Sequence, residues 1–247
     1  MLDLNQCLNI ARFAALSAGK FIVDSQEKNQ EVLSNVGRDI KLQLDIDAEK
    51  LIKEYISSKS SYAILGEETG ISDELGELYW VIDPLDGTSN FLRGIPISCV
   101  SIALMQKMNP ILGVIYDFNH DEIYFGHKES KAFINDEEIN VSSFSLKSES
   151  TLVTGIPAKT RYSDNEFSLM IDNFQAWKKI RMIGSAAMAA CYVASGKAET
   201  YQENGIFLWD IAAGAAIVNA AGGRASITNF QNDHRVDAQF TNNKINL

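Results

Sequence analysis

The sequence predicts an α/β protein built of layers of helix and sheet. Three observations lead to this prediction. Apolar residues recur at helical spacing near the N-terminus, the middle third consists of short strand-like segments, and strands alternate with helices after residue 150. Such patterns are typical of helices packed on mixed sheets, because each layer hides an apolar face against the next one. The order in which the strands are connected does not follow from periodicity alone.

The chain is predicted to open with an amphipathic helix that runs to about residue 24. Apolar residues recur there every three or four positions: Leu4, Leu8, Ala11, Ala15 and Ala18. A second helix is predicted from Asp45 to about Ser58, because Ile52 and Ile56 fall on one of its faces.

The middle third is predicted to be a sheet with antiparallel hairpins. Its segments are short, rich in β-branched and aromatic residues, and separated by turn-forming residues. They are YAILG at 62–66, YWVID at 79–83, ISCVSIALMQ at 97–106, PILGVIYD at 110–117, EIYFG at 122–126 and KAFIN at 131–135.

The last third is predicted to alternate strands with helices, beginning at the strand TLVTGI, 151–156. The helices are expected near 165–176, 185–195 and 209–221, with Gly222 and Gly223 ending the last of them. The serine-rich stretch 142–150 is the best candidate for a joint between two lobes. We therefore expect an N-terminal lobe over 1–145 and a C-terminal α/β lobe over 146–247, which together form one compact unit.

Charge and composition disfavour several kinds of partner. The chain has 22 basic and 32 acidic residues, a formal net charge of -10, so a nucleic-acid polymer would on balance be repelled. No apolar window approaches the roughly 18 residues of a membrane span, and the N-terminus lacks a secretion-signal pattern. Cys7, Cys99 and Cys191 are far apart and odd in number, which predicts buried or free thiols. These features predict a cytoplasmic protein with no membrane partner.

Acidic residues cluster where two predicted strands end. Glu67 and Glu68 follow the strand YAILG, and Asp83 and Asp86 follow the strand YWVID. Strand ends are where ligands bind in open α/β sheets, and crowded acids repel one another unless a cation lies among them. Because histidine and cysteine are not near the cluster, the oxygen ligands favour Mg²⁺ or Mn²⁺ over zinc.

The residues after Asp83 add features of a phosphate site. The Leu85 carbonyl is a further hard oxygen ligand, and Gly87 lets the backbone approach a ligand closely. If TSNFL begins a helix capped by Thr88 or Ser89, its free N–H groups face the metal site. A helix N-terminus beside divalent cations is a good binding site for phosphate.

Simpler interpretations of these acids remain open at this point. Asp-Pro and Asp-Gly are turn dipeptides in their own right, so Asp83 and Asp86 are also consistent with a plain turn. Asp210, which follows Trp209, and Asp45 are also consistent with helix N-caps. An EF-hand loop is excluded, because its twelfth position needs a glutamate and that position is Gly94.

Three spaced blocks carry a family resemblance. GEETG at 66–70, DPLDGTSNF at 83–91 and WDIAAGAAIVNAAGG at 209–223 resemble the inositol monophosphatase family of Mg²⁺-dependent, lithium-sensitive phosphatases. DIDAEKLI at 45–52 and the segment 181–205 resemble further parts of that family, so nearly the whole chain is covered. The resemblance implies an α-β-α-β-α layered sandwich, a small phosphorylated substrate and, for most members, a homodimer.

The resemblance also implies roles for individual residues. Metal ligation is implied for Glu67, Asp83, the Leu85 carbonyl, Asp86 and Asp210. Asp45 and Thr88 match the pair that positions the attacking water, and with Glu67 they form the implied catalytic set. Substrate contacts are implied for Leu85, Asp86, Gly87, Thr88, Arg181, Ser185, Glu203 and Asp210.

Several substrates and one different class of function are weighed at this stage. A related branch that hydrolyses 3'-phosphoadenosine 5'-phosphate usually continues its acidic block as D-G-T-K-E-F, whereas this chain reads Thr88-Ser89-Asn90-Phe91. This favours an inositol or sugar monophosphate, with fructose bisphosphate also open. A regulatory binding protein with a vestigial metal site is the non-enzymatic alternative. The presence of Glu67, Asp83, Asp86 and Asp210 argues against it.

Overall fold

The computed structural model describes residues 2–25, 32–36, 39–156 and 161–246. In that part of the chain the helices are α1 (Leu4–Ser25), α2 (Gln43–Ser57), α3 (Thr88–Leu92), α4 (Asp164–Gln175), α5 (Ala186–Ala194) and α6 (Leu208–Ala220), with a 3-10 turn at Lys147–Glu149. The strands are β1 (Val32–Val36), β2 (Asp39–Leu42), β3 (Ala63–Gly66), β4 (Gly70–Ile71), β5 (Leu78–Asp86), β6 (Cys99–Gln106), β7 (Asn109–Asp117), β8 (Glu122–His127), β9 (Ala132–Ile134), β10 (Glu137–Ile139), β11 (Thr151–Thr154), β12 (Lys179–Arg181), β13 (Thr200–Phe207), β14 (Arg224–Thr228) and β15 (Arg235–Thr241).

The larger sheet has eight strands in the order β10-β9-β8-β7-β6-β5-β3-β4. Its neighbours are antiparallel except for β3 and β5, which run parallel. Both faces of the central strands are buried. Along β5, Trp80 and Ile82 face a core shared with α1 and α2, whereas Tyr79 and Val81 face a second core shared with α5 and α6. This explains why the predicted strand segments are apolar at nearly every position instead of alternating.

The smaller sheet has five strands in the order β12-β11-β13-β15-β14. The neighbours β12, β11 and β13 are parallel, and β15 runs antiparallel to β13 and β14. Helix α6 contacts strands of both sheets, and α5 packs on α6, so these two helices form the layer between the sheets. Helix α4 lies on the outer face, where Phe174 packs against the small cluster of Leu152, Trp177 and Ile245.

The layers therefore follow the order α1 and α2, larger sheet, α5 and α6, smaller sheet, α4. This confirms the α-β-α-β-α sandwich that the sequence resemblance implied. The inner helices pack closely because they are rich in small residues: the Cβ of an alanine at Gly113 in β7 would lie 2.1 Å from the carbonyl oxygen of Ala213 in α6. Cys7, Cys99 and Cys191 are buried free thiols, as predicted.

One strand differs from its predicted bounds in a way that concerns the acids. The segment YWVID was expected to end at Asp83, but β5 continues through Pro84 and Leu85 to Asp86. Its pairing with β6 is irregular there, since Asp83 lies opposite Ser101 and Asp86 opposite Cys99. The bulge lets the strand carry a proline without losing its place in the sheet. Among the described residues, no helix is long and apolar enough to span a bilayer.

Candidate metal centre

Three carboxylates that are far apart in the sequence meet at one edge of the larger sheet. Glu67 follows β3, Asp83 lies in the parallel neighbour β5, and Asp210 lies in the first turn of α6. One carboxylate oxygen from each lies within 4.8 Å of the other two. The parallel pairing of Gly66 with Ile82 explains the first contact, because it places the residues that follow them side by side. Glu67 and Asp83 therefore meet as the strand ends predicted, together with Asp210, whereas Glu68 is not part of this group of described residues.

Asp86 lies beside these three acids and is held by the start of α5. Its Oδ2 atom accepts hydrogen bonds from the Ser185 hydroxyl at 2.5 Å and from the Ala187 backbone N–H at 2.8 Å. Asp83 is oriented from within its own strand, since its Oδ1 accepts the Leu85 N–H at 2.9 Å. Both aspartates are nearly inaccessible, with exposures of 1% for Asp83 and 8% for Asp86.

The acids strongly perturb one another. Burial, followed by the charges of Glu67, Asp86 and Asp210, raises the pKa of Asp83 well above its ordinary value. Burial also raises the pKa of Asp210, with further contributions from Glu67, Asp86 and Glu203. Burial raises the pKa of Asp86 to about 6, although the bonds from Ser185 and Ala187 oppose this. A cation among these groups would remove the repulsion, which at such distances is on the order of 3 kcal/mol per pair for an effective dielectric of about 20.

The available ligand atoms fit a hard divalent cation. Glu67, Asp83 and Asp210 offer carboxylate oxygens only, and Mg²⁺ or Mn²⁺ prefers such ligands over nitrogen and sulfur. The Leu85 carbonyl, a further predicted ligand, accepts a 3.0 Å hydrogen bond from the Thr88 hydroxyl and keeps a second lone pair.

The turn after β5 depends on glycine. Gly87 has φ of +86° and is the N-cap of α3, so the prediction that Thr88 or Ser89 caps this helix is wrong. A side chain at Gly87 would place its Cβ 2.7 Å from the Ile97 carbonyl oxygen. Asn90 fixes the turn, because its amide donates to the carbonyls of Ile97 at 2.8 Å and Ile183 at 2.7 Å. The sequence analysis used Asn90 only as a marker of substrate branch and missed this role.

Asp45 and Asp210 occupy equivalent places in their helices. Neither is the N-cap that the simpler interpretation considered, since each is the third residue of its helix. Asp45 Oδ2 accepts the Leu42 N–H at 3.0 Å, and Asp210 Oδ2 accepts the Phe207 N–H at 3.3 Å. Each carboxylate thus reaches back to the residue before its helix, which fixes its orientation. Asp45 is 2% exposed.

A cavity of about 280 Å³ opens beside the acids and is lined by four of the eight predicted substrate residues, whereas Leu85, Gly87 and Thr88 are not among the described residues that line it. Asp86, Ser185, Glu203 and Asp210 line it. Glu203 is buried and its Oε2 accepts a hydrogen bond from the Tyr201 hydroxyl at 3.0 Å. Burial raises the pKa of Glu203 to about 7, against the opposing effect of the Tyr201 bond.

Arg181 is not among the described residues that line this cavity. It lies on the edge strand β12, is exposed, and its Nη1 donates to the neighbouring Ile180 carbonyl at 2.9 Å. The structure therefore does not bring Arg181 together with the four predicted substrate residues that line the cavity.

Glu49, which the sequence analysis missed, holds the loop that presents Glu67. This fully buried residue of α2 accepts the backbone N–H groups of Glu68 at 2.8 Å and Thr69 at 2.9 Å. It also pairs with Lys53 at 3.0 Å. Gly66 makes room for it, because a Cβ there would lie 2.5 Å from Glu49 Oε1. In the sequence, Glu49 could have been recognised as an acidic residue on the apolar face of the second predicted helix.

Comparison with known proteins agrees with this geometry. A family profile described as "Inositol monophosphatase family" matches residues 3–242. The chain belongs to the inositol monophosphatase family. It is 37% identical over 225 residues to the Nus factor SuhB of Pasteurella multocida, covering 89% of this chain and 84% of that protein. It is 35% identical over 224 residues to the inositol-1-monophosphatase of Mesorhizobium japonicum, with the same 89% and 84% coverage.

The solved inositol monophosphatase from Anabaena (Nostoc) sp. superposes on this chain with a TM-score of 0.85 at 33% identity. The match covers 98% of this chain and 93% of that one. The family and fold predicted from the sequence are therefore confirmed.

Replacing Glu49 tests how strongly the Glu67 loop depends on it. We expect Glu49→Ala to lower the free energy of unfolding by roughly 3 kcal/mol, because it removes the ion-pair partner of Lys53 and leaves two backbone N–H groups without their acceptor. Urea denaturation measures the loss. Glu54→Ala, an exposed change on the same helix, is the matched control and should stay within about 0.5 kcal/mol of wild type. Equal stability of the two variants would contradict this role for Glu49.

The raised pKa of Glu203 predicts a pH effect on stability in chelator-treated protein. Consider a carboxyl group whose pKa is higher in the folded than in the unfolded protein. Below the unfolded pKa the group does not change the stability, and as the pH rises from there to the folded pKa the protein loses stability. The pKa of Glu203 rises from 4.5 to about 7, so the loss falls between about pH 4 and pH 7. At about 1.36 kcal/mol per unit, it is on the order of 3 kcal/mol.

The variant Glu203→Gln should remove this part of the pH dependence, because it cannot ionise and still accepts the Tyr201 bond. Thermal unfolding in chelator, followed from pH 4 to pH 7, measures the difference between wild type and variant. Parallel curves over that range would show that Glu203 does not titrate with a raised pKa.

Proposed function

We propose that this protein hydrolyses the phosphate monoester of inositol monophosphate or a related sugar phosphate in a Mg²⁺-dependent reaction. Its family consists of phosphatases, so the chain is a phosphoric monoester hydrolase. The observation that carries the proposal is the meeting of Glu67, Asp83 and Asp210 within 4.8 Å beside a cavity of substrate size. Mg²⁺ is the proposed cation, and Mn²⁺ is expected to replace it.

The metal ligands in this proposal are Glu67, Asp83, Asp86, Asp210 and the Leu85 carbonyl. When bound, Mg²⁺ supplies positive charge to the phosphoryl oxygens and lowers the pKa of a water molecule. Burial and hydrogen bonds hold the side chains of Asp83 and Asp86 in one orientation before any ligand binds, which supports their proposed role as metal ligands. Such preorganisation is a main source of transition-state stabilisation.

Thr88, Asp45 and Glu67 are the proposed groups that orient the attacking water and take its proton. The Thr88 hydroxyl donates to the Leu85 carbonyl, which leaves its own lone pairs to accept from the water. Attack forms one P–O bond and breaks the ester P–O bond, and the proton removed from the water passes to the leaving oxygen, so that inorganic phosphate and the alcohol are released. The backbone amides of Gly87 and Thr88 are proposed to hold the phosphoryl oxygens during this step.

Ser185 and Glu203 are the proposed partners of the substrate's hydroxyl groups. Both line the cavity beside the acids, and Glu203 can accept hydrogen bonds from a polyol. A substrate contact by Arg181 stays a proposal, since Arg181 is not among the described residues that line that cavity. A cytoplasmic homodimer is part of the proposal, and light scattering of the purified protein tests the dimer.

Two alternatives are outcomes of the same assay. One is hydrolysis of fructose 1,6-bisphosphate or 3'-phosphoadenosine 5'-phosphate. The other is a regulatory binding protein without turnover. One relative carries the name Nus factor SuhB, which is the reason to test this alternative. The four acids Glu67, Asp83, Asp86 and Asp210 are all present, which favours the enzyme.

Metal removal is the first test of the proposed function. We expect phosphate release from myo-inositol 1-phosphate to disappear after complete chelation and to return with added Mg²⁺, because the carboxylates alone do not neutralise the phosphoryl charge. A colorimetric phosphate assay measures both states, with the two bisphosphates run alongside. Turnover that survives chelation would contradict the metal mechanism, and absence of turnover on every ester would favour the regulatory alternative.

Asp83→Asn tests the acid cluster directly. The change removes one charge with little change of shape, so kcat should fall on the order of 100-fold or more. The chelated variant should be at least as stable as wild type, because one source of repulsion is gone. Asp73→Asn, an exposed change outside the site, is the control and should keep wild-type kcat. Near-normal turnover of Asp83→Asn would remove Asp83 from the site.

A further inference from the structure

A second cavity lies on the far side of Glu203, between α4 and the smaller sheet. It has a volume of about 480 Å³, which is within the range of small-molecule sites. Thr154, Gly155 and Glu203 line both this cavity and the one beside the acids. The α4 cavity, as we call it, therefore adjoins the proposed catalytic site, with Thr154, Gly155 and Glu203 as their common border.

The α4 cavity exists because α4 is loosely seated. None of the residues of α4 is buried, although the helix contains five large apolar side chains. Met170 and Phe174 are half-buried and line the cavity, whereas the adjacent Ile171 is 41% exposed and does not line it. The helix roofs the cavity rather than filling it with its own side chains.

The walls of the α4 cavity have two different chemical characters. Leu152, Met170 and Phe174 form an apolar wall. Gln202 of β13 and Gln239 of β15 belong to another wall, and they lie opposite each other in the antiparallel pairing of these two strands. In the described part of the chain, their side-chain amides make no hydrogen bond. An apolar wall opposite amides that other protein groups do not occupy suits a sugar-like ring, which presents C–H groups on its faces and hydroxyls at its rim.

The charges around the α4 cavity disfavour a second phosphate. Lys147 is the only cationic residue among the described residues that line it, and Glu166 and Glu203 offset its charge. Lys147 also lies over the ring of Trp177, with its Nζ 5.4 Å from the ring centre. A doubly charged phosphate would need a net positive surrounding or several donors, as an arginine provides. The surroundings fit a neutral group better.

We propose that the α4 cavity binds a neutral, hydroxyl-bearing group attached to the alcohol that carries the scissile phosphate. This inference rests on the proposed function and names its substrate class: a phosphate monoester with a second sugar-like unit beyond the ring that bears the phosphate. The first ring lies beside Glu203 and Ser185, and the second passes Gly155 into the cavity. Gly155 permits this arrangement, since a Cβ there would lie 2.3 Å from the Glu203 carboxylate.

The test compares two esters that differ only by the second unit. Trehalose 6-phosphate and glucose 6-phosphate share the phosphorylated ring, and the expected ratio of their kcat/KM values in wild type is about 10 or more in favour of the disaccharide. Met170→Trp fills the cavity from its roof and should lower this ratio about 10-fold, with kcat/KM for glucose 6-phosphate unchanged. Ile171→Trp adds the same side chain at the adjacent position outside the cavity and should leave the ratio as in wild type.

A ratio near 1 in wild type, or the same ratio in Met170→Trp and wild type, would overturn the inference. If Met170→Trp does not fold, Gln239→Ala replaces it, and a ratio lowered about threefold or more supports the amide wall. If neither ester is hydrolysed, the proposed function is decided separately by the assay with myo-inositol 1-phosphate. Calorimetric titration of both esters into wild type and the same variants then decides the inference. Tighter binding of the disaccharide in wild type, lost in Met170→Trp, supports it. Equal binding of the two esters in wild type overturns it.

Discussion

Electrostatic repulsion among buried carboxylates is the constraint on which the rest of this structure depends. Glu67, Asp83 and Asp210 come from three different elements and lie within 4.8 Å of one another, with Asp86 beside them. With Asp83 buried and Glu67 and Asp210 partly buried, such a group is unfavourable unless its members take up protons or a cation. The two apolar cores on either face of the larger sheet provide the stability that tolerates it. The cost at the site is therefore offset elsewhere in the fold.

The surroundings of the acids distinguish structural from functional carboxylates. Glu49 is as buried as Asp83, but it has Lys53 and several donors of the 67–69 loop around it, so its charge is balanced by the protein. Asp83 has mainly other acids as its charged neighbours. An acid whose charge the protein itself does not balance is a candidate for binding an external cation. Glu49 then serves the site indirectly, by holding the loop on which Glu67 stands.

Glu203 joins the two halves of the proposed substrate site. On one side it borders the cavity of the acids, and on the other it borders the space beneath α4. The first cavity is acidic and suited to a cation with its phosphate, and the second is nearly neutral and is lined by the amides of Gln202 and Gln239. In the proposed substrate class, this division assigns the choice of alcohol to the loosely packed outer helix and the reaction to the sheet edge.

The sequence by itself determined the family, and through the family resemblance the layer order and the candidate acids. The resemblance depends on local signals, namely motifs such as DPLDGTSNF in which neighbouring residues form one turn, and periodicity adds the helices and strands. The sequence did not determine that β5 continues through Pro84, that Gly87 caps α3, that Arg181 stands apart from the cavity, or that Glu49 clamps a distant loop. Only the tertiary structure decided these points. Strand register, close backbone approach and hydrogen bonds between α2 and the 67–69 loop arise from the packing of remote segments, and local pattern carries no information about that packing.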